Sequence, residues 1–125
     1  MEIINLTPHD VSVLQFKELS ENVGAEYGLK TFKMSGKVAR CETTSEPMFE
    51  LESNELERIK VYRTVFSHTV DLPEYEEDKF YIVSRNTVDA ARNEGRRVDD
   101  LLVPMQMIKD HYGNIIGCRG FGTYI

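Results

Sequence analysis

Arg85, Arg92, Arg96 and Arg97 fall within thirteen residues of a chain whose formal net charge is −6. A guanidinium presents five N–H donors in a rigid fork, so arginines gathered at one point of a fold suit the recognition of phosphate. The residues around them add to that chemistry. Residues 80–83, Phe-Tyr-Ile-Val, are a short aromatic and β-branched run that predicts a strand. Asn86, with Asp89 three residues on, has capping-box spacing and predicts a helix over 86–94, closed by Gly95 as its C-terminal cap. The first N–H groups of a helix have no partner within it, so a junction made of Ser84, Arg85, Asn86 and Thr87 offers amides, short polar side chains and a guanidinium to an anion. Val88 and Ala91 would face the core, with Arg92 on a neighbouring face. The competing reading is a solvated helix whose arginines are balanced by Asp89, Glu94, Asp99 and Asp100. The sequence leaves both open.

Other residue types carry less. Asp99 beside Asp100, or Asp110 beside His111, could in principle do acid–base work, but neighbours on a strand point to opposite faces. No nucleophile elbow or Walker loop accompanies them. His9, His68 and His111 are scattered, and Cys41 and Cys118 stand far apart with no Cys-x-x-Cys pair. No metal and no cofactor are therefore expected, and the two cysteines read as reduced, packed thiols.

With 125 residues, 41% hydrophobic and 29% charged, the chain is expected to form one domain, residues 1–125, around a single core. No apolar run approaches the ~18 residues of a membrane span. Residues 1–5 lack a basic region followed by an apolar block, so no secretion signal is expected and the protein reads as cytosolic. The negative balance argues against gripping a long nucleic acid, whose binding rests on many phosphate contacts. From Phe80 onward the chain has six Lys and Arg against five Asp and Glu, so the negative charge lies earlier. A near-neutral half with clustered arginines fits a small anion better than a polymer.

The pattern of elements is α+β: a mainly antiparallel sheet with one principal helix in the C-terminal half. Residues 2–6 and 11–17 read as extended pieces around a turn at Pro8. Residues 20–36 suggest a loop or loose hairpin, and 37–42 an edge strand in which Arg40 pairs at the surface. Residues 43–57 read as a polar connector, and 59–66 alternate cleanly as a strand. Residues 71–79 form an acidic connector. A short helical turn is expected over 98–102, ended by Pro104, before a hairpin of 105–110 and 114–119 around His111, Tyr112 and Gly113. Gly117, Gly120 and Gly122 let the backbone approach another strand or a ligand closely.

Several short segments resemble small phage proteins of the first-described Thoeris anti-defence family. They are Asn5-Leu6-Thr7-Pro8-His9, Ser35-Gly36-Lys37-Val38-Ala39-Arg40, Tyr81-Ile82-Val83-Ser84, Asp100-Leu101-Leu102-Val103-Pro104, Lys109-Asp110 and Ile116-Gly117-Cys118. The resemblance implies an oligomeric sponge, a dimer or hexamer, acting in the cytoplasm of an infected host. It would bind cyclic ADP-ribose isomers made by bacterial TIR-domain immune enzymes without cleaving them. Some members also resemble sponges for cyclic trinucleotides at a separate site. The family's pocket lies between protomers and sets an aromatic residue against adenine and polar and basic residues against phosphate. By motif this implies Tyr81 for stacking and Lys109 with Asp110 for polar contacts. Relatives often carry Arg-Asp at that dipeptide, and Lys109 here removes a bidentate clamp.

The combined expectation is a non-catalytic binder in which Arg85, Arg92 and Arg96 meet phosphate, Asn86 or Asn93 a base edge or ribose, and Ser84 the junction. An enzyme acting on small phosphorylated or glycosidic substrates, and a phage assembly module pairing through its sheet edge, are the alternatives.

Overall fold

The computed structural model describes residues 1–18, 25–52 and 57–124. Its elements are β1 (Glu2–Asn5), β2 (Val11–Glu18), β3 (Ala25–Phe32), β4 (Arg40–Glu52), β5 (Arg58–Val70), β6 (Lys79–Ile82), α1 (Arg85–Asn93), β7 (Leu101–Lys109) and β8 (Ile115–Gly122). Six strands form one sheet in the order β1-β6-β7-β8-β2-β3, and β4 and β5 form a separate antiparallel ribbon. The two ends of the large sheet approach one another. Asn5 bridges Met34 just past β3, the Ser35 amide donates to the Asn5 carbonyl at 3.1 Å, and the Ala39 amide donates to that of Leu6 at 2.9 Å. The sheet is thereby curled into a nearly closed, barrel-like form.

The molecule is mainly β with one short helix, as expected, but the sheet is mixed. Of its five pairings, β1/β6, β6/β7 and β2/β8 are parallel, and β2/β3 and β7/β8 antiparallel. The physical cause is α1, which carries the chain back along the sheet so that β7 starts beside β6 in the same direction. Alternation of residue types marks a strand without naming its neighbour.

The helix starts at Arg85, one residue before the expected start. Ser84, not Asn86, is the cap: its backbone is extended and its Oγ accepts the Thr87 amide at 3.4 Å. Asn86 is already helical and exposed. The far end closes as the sequence indicated. Gly95 has φ +83°, its amide donates to the Arg92 carbonyl at 3.0 Å, and the Arg96 amide donates to that of Ala91 at 3.0 Å. Val88 and Ala91 join Leu6, Ala39, Tyr81, Val83, Leu101 and Val103 in the core between helix and sheet.

Two other expectations are corrected. The helical turn over 98–102 is confined to Asp99 and Asp100, and Leu101 already begins β7, which runs on through Pro104. Pro104 is tolerated because the β6 ladder has ended at Leu102, so no donor is missed on that side. Residues 43–52 are not a connector but the greater part of β4, with a register shift between Pro47 and Phe49. In a two-stranded ribbon every strand is an edge, which accommodates Pro47. Of the loop or loose hairpin expected over 20–36, residues 25–32 pair antiparallel with β2, in line with the hairpin, while 19–24 and 53–56 lie outside the described residues. The ribbon is anchored at its base, where the Thr69 amide and hydroxyl both donate to the Glu94 carboxylate.

Asn5, 2% exposed, sits where the sheet closes. Its Nδ2 donates to the His9 carbonyl at 2.8 Å and the Phe32 carbonyl at 2.9 Å, and its Oδ1 accepts the Thr7 amide at 2.9 Å. Aspartate has the same shape but would aim a charged oxygen at two carbonyls. Asn5→Asp is expected to cost about 2–4 kcal/mol, seen as a lower urea midpoint at neutral pH.

Candidate functional site

A groove of about 490 Å³ opens at the mouth of the barrel-like sheet. It lies beyond the carboxyl ends of the parallel strands β1 and β6, the position at which open α/β sheets bind ligands. Residues 7–12 form one wall, Pro104, Met107, Ile115 and Ile116 the other, and Val83 and Ser84 lie between them with Gly117 and Cys118. Its size is within the range of pockets that take drug-sized ligands. Met107, Ile115 and Ile116 are each about half exposed, so the apolar wall is open to an incoming ring. Gly117 sets the narrow end. A Cβ there would lie 2.7 Å from the Ser12 carbonyl oxygen and 2.9 Å from Leu14 Cγ, so β8 reaches β2 only because that atom is missing. Close approach at this glycine is therefore to a strand. Gly122 is likewise crowded by the Met105 side chain, whereas Gly120 has nothing within 4 Å.

The start of α1 opens at this mouth. Ser84 is exposed, its Oγ 2.9 Å from the buried Thr87 hydroxyl, and the Arg85 and Asn86 amides have no partner among the described residues. The Arg85 guanidinium lies 5.5 Å from the centre of the Tyr124 ring, an exposed cation–π contact worth little enough to exchange for a phosphate. Arg92 donates to the Tyr124 carbonyl.

The remaining arginines serve the fold. Arg96 grips Asp100 through two hydrogen bonds of 2.9 and 2.8 Å and donates to the Pro73 carbonyl at 3.1 and 2.8 Å. Asp100 is 1% exposed, so this pair tethers the connector before β6 to the turn before β7. Arg97 pairs with Asp99 at 2.6 Å and stacks on Tyr75 at 3.9 Å; the same guanidinium holds the Asp99 carboxyl below its usual range. Arg96 and Arg97 are thus balanced by Asp100 and Asp99, as the competing reading has it, but past the end of the helix and, for Arg96, in a buried rather than solvated pair, while Glu94 turns instead to Thr69.

The other predicted residues are dispersed. Tyr81 is 2% exposed within the core, so its ring face cannot stack on a base beside Ser84. Burial, then nearby Glu76, raises its phenol above the usual range. Lys109 is exposed at the end of β7, and Asp110 organises the hairpin turn by accepting the Tyr112 amide at 2.8 Å and the Asn114 amide at 3.0 Å. Neither lines the groove. Asn93 is exposed on the last turn of α1. The structure therefore keeps Ser84, Arg85 and Asn86 together and separates them from Tyr81 and from Lys109 with Asp110.

The apolar wall was not anticipated. Its signal lay in the predicted hairpin, whose two adjacent strands carry the apolar residues Met105, Met107, Ile115 and Ile116, all of them left exposed. The His9 ring has no hydrogen bond to a nucleophile or carboxylate among the described residues, and none of these places three or more of His, Cys, Asp and Glu as a metal-binding group. No family description, no curated protein and no solved structure matches the chain.

Two outcomes follow from this geometry. Asp100→Ala leaves the buried Arg96 charge uncompensated and is expected to cost about 3–5 kcal/mol, measured by chemical denaturation. Burial also pushes the Cys118 thiol above its ordinary range, whereas Cys41 is partly exposed. A raised pKa means less thiolate, so at mildly alkaline pH a thiol-reactive dye should modify Cys41 first and Cys118 only once denaturant is added.

Proposed function

We propose that this chain is a non-catalytic binder that sequesters a compact cyclic nucleotide of the cyclic ADP-ribose class at the mouth of its barrel-like sheet. The observation that carries the reading is the juxtaposition of an open apolar wall, formed by Met107, Ile115 and Ile116, with Ser84, the cap of α1, next to which the Arg85 and Asn86 amides have no partner among the described residues. A purine packs on the wall, and the pyrophosphate meets the helix amides and the Arg85 guanidinium. The resemblance to the Thoeris anti-defence family implies the same ligand class, and a role as a phage-encoded sponge in the host cytoplasm. Cyclic trinucleotides are a second ligand class under that reading.

Self-association belongs to the same proposal. In the ribbon, Phe49 lies opposite Val61 and Leu51 opposite Ile59, on one face, while Glu50 lies opposite Lys60 and Glu52 opposite Arg58, on the other. Phe49, Leu51 and Ile59 are each about half exposed, and an isolated pair of strands is marginal in water. Covering that face with a second copy supports an oligomer, which can complete a pocket that one chain leaves open. The ribbon also favours a second reading, a phage assembly module whose partner is another protein. The two differ in what the purified protein carries: heating releases a small nucleotide from a sponge and none from an assembly module.

The decisive measurement is binding without turnover. A cyclic ADP-ribose isomer incubated with the protein and recovered after denaturation should elute unchanged, and a hydrolysed product would point to an enzyme. By titration calorimetry, Arg85→Ala is expected to weaken capture about tenfold, the loss of one charge-assisted hydrogen bond. Ile116→Asp should weaken it at least as much, by placing a carboxylate on the purine wall.

A further inference from the structure

Tyr81 is 2% exposed, yet its hydroxyl has no hydrogen-bond partner among the described residues, and no buried side-chain oxygen among those residues is left unsatisfied away from solvent. Both statements hold only if the hydroxyl reaches an opening. That opening is a cavity of about 700 Å³, on the helix side of the sheet, with Ile4, Leu6 and Tyr81 in its lining, walled by Ser35 and Lys37 and by residues 73–76. A second cavity of about 810 Å³, bounded by residues 36–38, Arg40 and residues 71–73, shares Lys37 and Pro73 with it. Together they make one trough along the β1 edge, distinct from the barrel mouth.

The trough's charges are nearly all spoken for. Lys79 pairs with Glu76 at 2.6 Å, and Arg40 lies 4.0 Å from Asp71. Lys37, at the waist where the cavities meet, has no carboxylate partner among the described residues. Glu74 adds a negative charge at the rim. A ligand with several negative charges would meet Glu74, Glu76 and Asp71, so the balance favours a single anionic group. Ile4, Leu6, Val38, Leu72 and Pro73 supply apolar surface for the rest of the molecule, and the Tyr75 ring stands in the same wall.

We infer that this trough is a second ligand site, which takes a small aromatic carboxylate whose anion pairs with Lys37 and whose polar edge accepts a hydrogen bond from the Tyr81 hydroxyl. The inference is independent of the nucleotide reading, because none of its residues lines the barrel mouth. Since the phenol stays protonated well into the alkaline range, it serves as a donor at neutral pH.

The test uses the full chain, labelled for amide NMR and titrated with benzoate, 4-hydroxybenzoate and indole-3-acetate, each against its neutral amide. The carboxylates are expected to shift amides at 35–38, 72–75 and 79–81 and leave those at 115–118 in place. The matched amides should bind at least tenfold more weakly. Lys37→Ala should abolish that preference for the acid. Tyr81→Phe loses no internal hydrogen bond, so it should melt within a degree or two of the parent while weakening binding severalfold. Shifts elsewhere, equal binding of acid and amide, or full affinity in both variants would each overturn the site. Cyclic nucleotide capture unchanged in Lys37→Ala would show that the two sites stand or fall separately.

Discussion

One amide side chain holds the architecture in place. Asn5 has two donors and an acceptor oxygen with two lone pairs, and the structure fills them all: two carbonyls receive its N–H groups, and Thr7 stands at its oxygen through both amide and hydroxyl, the latter at 2.7 Å. Together these residues join three parts of the chain. Phe32 ends β3, Asn5 ends β1, and Thr7 and His9 form the crossing from β1 to β2. At 2% exposure water cannot substitute for any of them. Closure of the sheet and the wall of the mouth are thus consequences of the same saturated group.

The second constraint is the crossover from β6 through α1 to β7. Running these strands parallel puts the carboxyl end of β6 and the start of the helix at one place, so the apolar groove and the unpaired amides coincide without any extra element. Burial of Val83, Val88, Ala91 and Leu101 fixes the helix against the sheet, and the Arg96–Asp100 pair fixes the turn that follows it. Charge is then divided by position. Arg96 and Arg97, past the helix's C-terminal end, are drawn into pairs with Asp100 and Asp99, while Arg85, at the beginning, makes only an exposed ring contact among the described residues.

Legibility varied with the range of the interaction involved. The glycine cap at Gly95, the turn at Gly113 and the strand from β5 are decided by local backbone preference and alternation, and they were readable from the residues. The cap at Ser84 was displaced by two positions because Ser84 and Asn86 are equally good acceptors, and only the docking of Val88 and Ala91 selects between them. Residues 43–52 read as a connector because the run is largely polar and contains a proline, with Phe49 and Leu51 too few to mark a buried face. They form a strand because β5 supplies a complete backbone partner. Tyr81 was misjudged for the opposite reason: an aromatic beside a polar junction suggests exposure, but Val83, two residues on and facing the same way, is fully buried and the two share the core.

By itself the sequence determined the chemistry on offer: clustered guanidiniums, one helix with a polar beginning and a glycine end, alternating strands, and a surplus of carboxylates in the first two thirds. These depend on residue identity and on contacts a few positions apart. Tertiary structure alone decided which strands are parallel, which arginines are spent on aspartates, and that the mouth and the Lys37 trough are separate places. The first and last of those outcomes rest on pairing between residues tens of positions apart, where spacing along the chain carries no information about distance in space; the Arg96–Asp100 and Arg97–Asp99 pairs are local in sequence, but the contact of Arg96 with the Pro73 carbonyl is not.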